Sequence, residues 1–189
     1  MKIWCIDYRD SVYTDAAMLD VTQFRGLRYF DGMRLNDRFP KDATLEVRSR
    51  RPPADFFRAG VFWIVSAKLR SILDAYLVEA EYFPVRLLDR KGSMLAGAWW
   101  CLNPLLALDW FDWSQSKYVA EQTFASDITL VAARQEVLDG VPLALAQRTI
   151  PDLVAVSDGL ATAIIDNGCT GVVFREPHEW RNPKSPVLS

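Results

Sequence analysis

The sequence predicts an α+β fold: a mostly antiparallel sheet built from hairpins, with two main helices that each sit in a strand-helix-strand unit. Three observations carry this. Residues 61–88 and 153–174 share one order of features, in which an apolar run is followed by a serine, a helically spaced apolar stripe and a β-rich run. Short apolar or alternating segments, punctuated by Gly, Asp and Pro, fill much of the rest, as hairpins do. They amount to about eight or nine strands against two helices, which favours helices packed on one face or at the ends of a sheet.

In chain order, residues 2–8 read as a first strand, with Ile3, Cys5 and Asp7 on one face and Trp4, Ile6 and Tyr8 on the other. A short helix is expected at 15–19. Gly26 and the Asp31-Gly32 turn signal suit a hairpin over 27–35. Leu45 and Val47 alternate in a short strand at 44–48. Arg50-Arg51-Pro52-Pro53 breaks regular structure, and 55–60 is expected as a loop or single turn. Residues 61–65 are continuously apolar. Ser66 then caps a helix, because its hydroxyl can accept from an orphan amide of the first turn. Leu69, Ile72, Leu73 and Tyr76 form that helix's apolar face.

Residues 82–89 and 94–102 predict a β-hairpin around Arg90-Lys91-Gly92-Ser93. The second of these runs is apolar on both faces, as at a sheet centre, and Asn103-Pro104 is expected to end it. Strands follow at 117–124 and 128–135, with Ala125-Ser126-Asp127 as their turn. Leu138-Asp139-Gly140 turns the chain into a strand at 142–147. Pro151-Asp152 opens the second unit, where Ser157 caps a helix and Gly168 closes it. Residues 178–189 lack periodicity and are expected as a flexible tail. The domain is thus 1–177, with a β-rich part at 1–55 and the remainder at 56–177.

Aligning Ser66 with Ser157 brings Val65 to Val156, Leu69 to Leu160, Leu73 to Ile164 and Phe83 to Phe174 at one offset. An internal repeat explains this, and so do two unrelated serine-capped amphipathic helices.

A chain of 189 residues suggests one domain, or two small subdomains sharing a core, and buries that core without metal or disulfide staples. Many of its 7 Trp, 6 Tyr and 10 Phe must be buried, and so many also leave rings for a partner-binding surface. A net charge of −2 gives no sign of nucleic acid or an anionic membrane as partner. Asp7, Asp10, Asp15 and Asp20 make the start acidic, and Arg48, Arg50, Arg51 and Arg58 form a basic run. Cys5, Cys101 and Cys169 lie far apart with no CxxC, so reduced thiols in a reducing compartment are expected. The N-terminus lacks a signal-peptide pattern and the longest apolar run is short of a membrane span, so the expected location is cytoplasmic.

Chemistry-bearing motifs are sparse. His178 is the single histidine, and no GxSxG, GxGxxG or P-loop occurs, so neither cofactor nor metal is expected. Asp109 and Asp112, in ALDWFDWS, could do acid/base work if one pKa were raised. The stronger reading is that they are turn acids accepting backbone amides, with Ser114 capping the next element. The rings of Trp99, Trp100, Trp110, Phe111 and Trp113 divide between core and interface. Trp110, Phe111, Asp112, Trp113 and Asp109 are the candidate partner-binding residues.

Four segments, FFRAGVFWIVSAKLRSIL, EYFPVRLLDRKGS, WWCLNPLLALDWFDWSQS and LVAVSDGLATAIIDNGCTGVVF, together resemble bacterial immunity proteins of polymorphic toxin systems. The matching positions are Val65, Ser66 and Leu69; Asn103, Leu108, Asp109 and Ser114; and Ser157, Asp158, Leu160, Gly168, Thr170, Gly171 and Phe174. The resemblance covers residues 56–174. It implies a cytoplasmic protein that binds the C-terminal toxin domain of a secreted effector, type VI secretion included, and protects the producing cell without catalysis. Two other readings compete: a small hydrolase-like enzyme using Asp109 and Asp112, and a scaffold or homodimer joined through the Trp-rich segment.

Overall fold

A computed structural model describes residues 1–6, 14–19, 24, 32–120, 125–150 and 153–180, and the statements below concern these. The elements are β1 (Lys2–Ile6), β2 (Ala16–Met18), β3 (Thr44–Val47), β4 (Phe56–Ala59), β5 (Phe62–Ser66), α1 (Ala67–Ala75), β6 (Ala80–Leu88) and β7 (Trp99–Pro104). They continue with β8 (Ala107–Leu108), β9 (Lys117–Ala120), β10 (Ala125–Leu130), β11 (Leu143–Ala146), β12 (Val154–Val156), α2 (Asp158–Asp166) and β13 (Val172–Arg175). One sheet has the order β2-β3-β6-β7-β5-β4, a second has β13-β1-β12-β11-β8, and β9 pairs with β10. Every pairing is antiparallel except β3 with β6 and β11 with β8. The fold is α+β and mostly β, as the sequence predicts. Neither α1 nor α2 is long and apolar enough to cross a membrane.

Both strand-helix-strand units are split. β5 and β6 each run antiparallel to β7, which lies between them. β12 and β13 each run antiparallel to β1, again between them. The helices match in detail, each with 9 residues. Ser66 Oγ accepts from the Leu69 amide at 3.2 Å, and Ser157 Oγ accepts from the Leu160 amide at 3.2 Å. At their ends the Val78 amide donates to Leu73 O at 3.0 Å and the Cys169 amide to Ile164 O at 3.2 Å. This six-to-one bond needs a left-handed residue just before it. Leu77 (φ 55°) and Gly168 (φ 63°) occupy that place, at the same offset as the serines. The two units are one structural element built twice, which favours the repeat over two unrelated caps.

Side-chain alternation explains the apolar runs. In β5, Trp63 and Val65 enter a central core between the two sheets, while Phe62 and Ile64 enter an outer core behind the six-stranded sheet. β7 divides likewise, with Trp99 and Cys101 outward and Leu102 and Trp100 toward the centre. In β11, Leu143 and Leu145 face the central core, and Ala144 and Ala146 face a third core. Leu69, Ile72 and Leu73 of α1 and Leu160, Ala161 and Ile164 of α2 complete the central core.

One carboxylate joins the two sheets. Asp55 Oδ1 accepts from Ser66 Oγ at 2.7 Å. Its Oδ2 accepts from the Thr170 amide at 3.0 Å and pairs with Lys68 Nζ at 3.0 Å. The Phe56 amide donates to Thr170 O at 3.0 Å. Gly171 (φ 91°) follows so closely that a Cβ there would fall 1.8 Å from Phe56 O. Burial opposes ionisation of Asp55, but the bonds from Ser66, Thr170 and Lys68 outweigh it and hold the carboxyl below its usual range.

Several expectations are corrected. Residues 16–18 form β2 rather than a helix, because Ala16 and Met18 alternate inward against β3. The loop expected at 55–60 is largely β4, in a tight hairpin with β5 that turns at Gly60 (φ 63°). The hairpin after α1 forms, but its second strand starts at Trp99, and Met94 makes only an isolated bridge to Leu88. Asn103 and Pro104 belong to β7, opposite Glu81 and Ala80. Residues 125–127 lie in β10, so the β9–β10 connection falls at 121–124, outside the described residues. β11 pairs with β12 and β8 and makes no hairpin with β10. The tail does not begin at His178: Pro177–Glu179 form a 3-10 turn and Trp180 is 3% exposed in the third core. Asp7, Tyr8, most of the 27–35 hairpin and residues 181–189 lie outside the described residues.

Leu77 is 85% exposed, so replacing it sacrifices no burial. Leu77→Gly should raise Tm by about 2 °C by relieving left-handed strain. Gly168→Ala, with open space around it, should cost about 1 kcal/mol, whereas Gly171→Ala should cost more than about 3 kcal/mol in thermal or urea denaturation.

Asp55→Asn should cost on the order of 2 kcal/mol at neutral pH. Because the folded pKa is depressed, the contribution of Asp55 is complete above its unfolded pKa and is lost as pH falls through the lower folded value. The stability gap between wild type and variant should therefore close on acidification.

Candidate functional site

The Trp-rich segment after β8 packs on the back of the five-stranded sheet. The alanine face of β11 leaves room there for large rings, and Trp110 and Phe111 fill it, both 0% exposed. Trp110 Nε1 donates to Ala144 O at 3.3 Å. Backbone bonds from Arg134 N to Trp110 O (2.8 Å) and from Asp112 N to Ala132 O (3.0 Å) lay the segment against 132–134. Trp110 and Phe111 are therefore core residues, which corrects their expected role as contact residues.

Trp113 is different. It is half-buried, with edge contacts to Phe111 (4.9 Å) and Tyr118 (5.3 Å), and the Arg148 guanidinium lies 5.1 Å over its ring. Its Nε1 donates to Asp109 Oδ1 at 3.0 Å. Asp109 Oδ2 pairs with Arg134 Nη2 at 2.8 Å, and Arg148 Nη2 stands 3.6 Å from Oδ1. Arg134 also donates to the Asp109 carbonyl. The Trp113 bond, helped by both arginines and opposed by burial, holds the Asp109 carboxyl below its usual range.

Asp112 turns into its own loop. Its carboxylate accepts from Ser114 Oγ (2.7 Å), Ser114 N (2.9 Å), Gln115 N (3.2 Å) and Gln115 Nε2 (2.9 Å). Led by the Ser114 hydroxyl, these bonds lower its pKa too. A general acid at neutral pH needs a raised pKa. Both carboxyls move the other way and each is tied to separate donors, so the Asp109/Asp112 proton-transfer pair is not assembled.

The other nominated positions hold the fold. Ser66 and Ser157 cap their helices, and Thr170 and Gly171 dock on β4. Asn103, 1% exposed, donates through Nδ2 to Met33 O and Glu81 Oε2, both at 3.0 Å. Glu81 accepts in turn from the amides of Leu35 (2.7 Å) and Asn36 (3.1 Å), pinning that segment to the sheet. Sequence reasoning missed Arg134 and Arg148. They are remote in sequence from Asp109, and no spacing marks them. A cavity of about 410 Å³ also opens between the end of α1 and the start of α2, lined by Tyr76, Asp139, Pro142, Ser157 and Asp158 among others.

The fold is thus an α+β domain of two split strand-helix-strand units, with a partly exposed polar-aromatic patch around Trp113. The family model that matches this chain is that of the immunity protein family Imm11, over residues 5–179. The chain belongs to the Imm11 family, and with that membership comes a toxin-immunity role. The match extends well beyond the 56–174 read from the sequence and takes in most of the N-terminal part, whose β1 sits inside the second repeat unit. No curated protein compared with the chain matches it.

Trp110→Ala should destabilise by about 3–5 kcal/mol, as truncation of a buried tryptophan does. Trp113→Ala should cost no more than about 1–2 kcal/mol. Urea denaturation of the two variants checks this division between core and surface.

Proposed function

We propose that this protein binds the C-terminal toxin domain of a secreted bacterial effector in the cytoplasm of the producing cell and neutralises it there, acting by occlusion and not by catalysis. Delivery of that effector through type VI secretion is part of the same reading, and neither cofactor, nucleic acid nor membrane takes part. The contact surface includes Trp113, Asp109 and Asp112, joined by Arg134 and Arg148.

The observation that carries the assignment of the surface is the stacked Trp113–Arg148 pair held by Asp109. Tryptophan and arginine supply much of the energy at protein interfaces, and side chains already locked in place lose little entropy on binding. The alternative of Asp109/Asp112 catalysis has no support from the geometry above.

Co-expression with the toxin encoded by the adjacent reading frame should yield a stable complex burying more than about 1,200 Å². Trp113→Ala should weaken it by about 30-fold and reduce protection of toxin-expressing cells, while Tm falls by no more than about 8 °C. Absence of any complex with that product would defeat the proposal. Light scattering on the free protein separates it from self-association through the same patch, which would give a concentration-dependent dimer.

A further inference from the structure

We propose that the Trp113–Arg148 patch receives an acidic side chain of the toxin, gripped by the Arg148 guanidinium. This rests on the interface reading above and names the chemistry of the partner group.

The first support is donor capacity left on Arg148. Among the described residues of the patch, Asp109 serves two guanidinium groups. Arg134 takes it closely, at 2.8 Å and through the Asp109 carbonyl. Arg148 stands 3.6 Å from an oxygen that already accepts from Trp113 Nε1. Asp112 keeps its charge, but its oxygens are taken up by four donors of its own turn and make no contact with Arg148. Arg148 is 62% exposed, and among the described residues its side chain meets no acceptor but Asp109.

The second support is shape. The planar Arg148 guanidinium lies over the Trp113 indole, and its edge N–H groups can bind a carboxylate in a two-point fork. The third is backbone strain. Arg148 has φ 57°, a left-handed conformation suited to Gly or Asn, and its carbonyl is fixed by the Ala125 amide at 2.8 Å. A large cationic side chain in so unfavourable a conformation is the kind of local strain that gathers at functional positions.

Binding of the catalytically inactivated toxin domain would be measured by calorimetry at low and high NaCl. Arg148→Glu should weaken it about 100-fold, and Arg148→Gly, which relaxes the backbone while removing the cation, about 10-fold or more. Arg148→Lys should fall between wild type and Arg148→Gly, because it keeps the charge and loses the fork. Wild-type affinity should drop as salt rises, and an Asp→Arg or Glu→Arg change in the toxin should restore binding to the Arg148→Glu protein. Binding of Arg148→Gly and Arg148→Glu within about threefold of wild type would overturn the inference. If Trp113→Ala still weakens the complex in that case, the interface reading stands and only the acidic contact falls; if it does not, both fall.

Discussion

Asp55 sits where three parts of the chain must meet: the start of β4, the capped beginning of α1 and the exit from α2. Its carboxylate is mostly buried, with 16% of the side chain exposed, and is kept charged by Ser66, Thr170 and Lys68. A charge so placed is tolerated only because each oxygen has its donors. Gly171 makes the same junction possible sterically, by letting the backbone after Thr170 pass against Phe56 without a Cβ between them. Loss of either would weaken the join between the two sheets.

From that junction the layering follows. Each repeat unit lays its helix against the central core and shares its strands with two cores. The alternation of large and small side chains then assigns each ring a place. Leu143 and Leu145 fill the centre, while Ala144 and Ala146 leave space on the far side for Trp110 and Phe111. A pair of aromatic side chains in a polar, turn-rich loop thereby becomes the floor of the third core, and Trp113, one residue past Asp112, is left at its rim.

The proposed contact surface lies at that rim. Asp112 spends its charge on its own turn. Asp109 spends its charge on orienting a tryptophan and two arginines. The result is a prearranged surface, in keeping with a family whose role is toxin immunity.

Local physics was legible in the sequence: the fold class, both serine caps, the strand after α1 and the matching offset of the two units all follow from residues that interact within a few positions of one another. Period-two alternation misled at 16–18 and 56–59, because short strands show too few residues for the period to emerge and only pairing with β3 and β5 reveals them. The β6–β7 hairpin was legible, but the tertiary structure alone brought β1, from the start of the chain, between β12 and β13 and set β7 between β6 and β5. The same holds for the patch. The sequence pointed to Asp109, Asp112 and Trp113, but Arg134 and Arg148 reach them only because the sheet folds 132–148 back over the Trp-rich segment, a non-local contact that no spacing encodes.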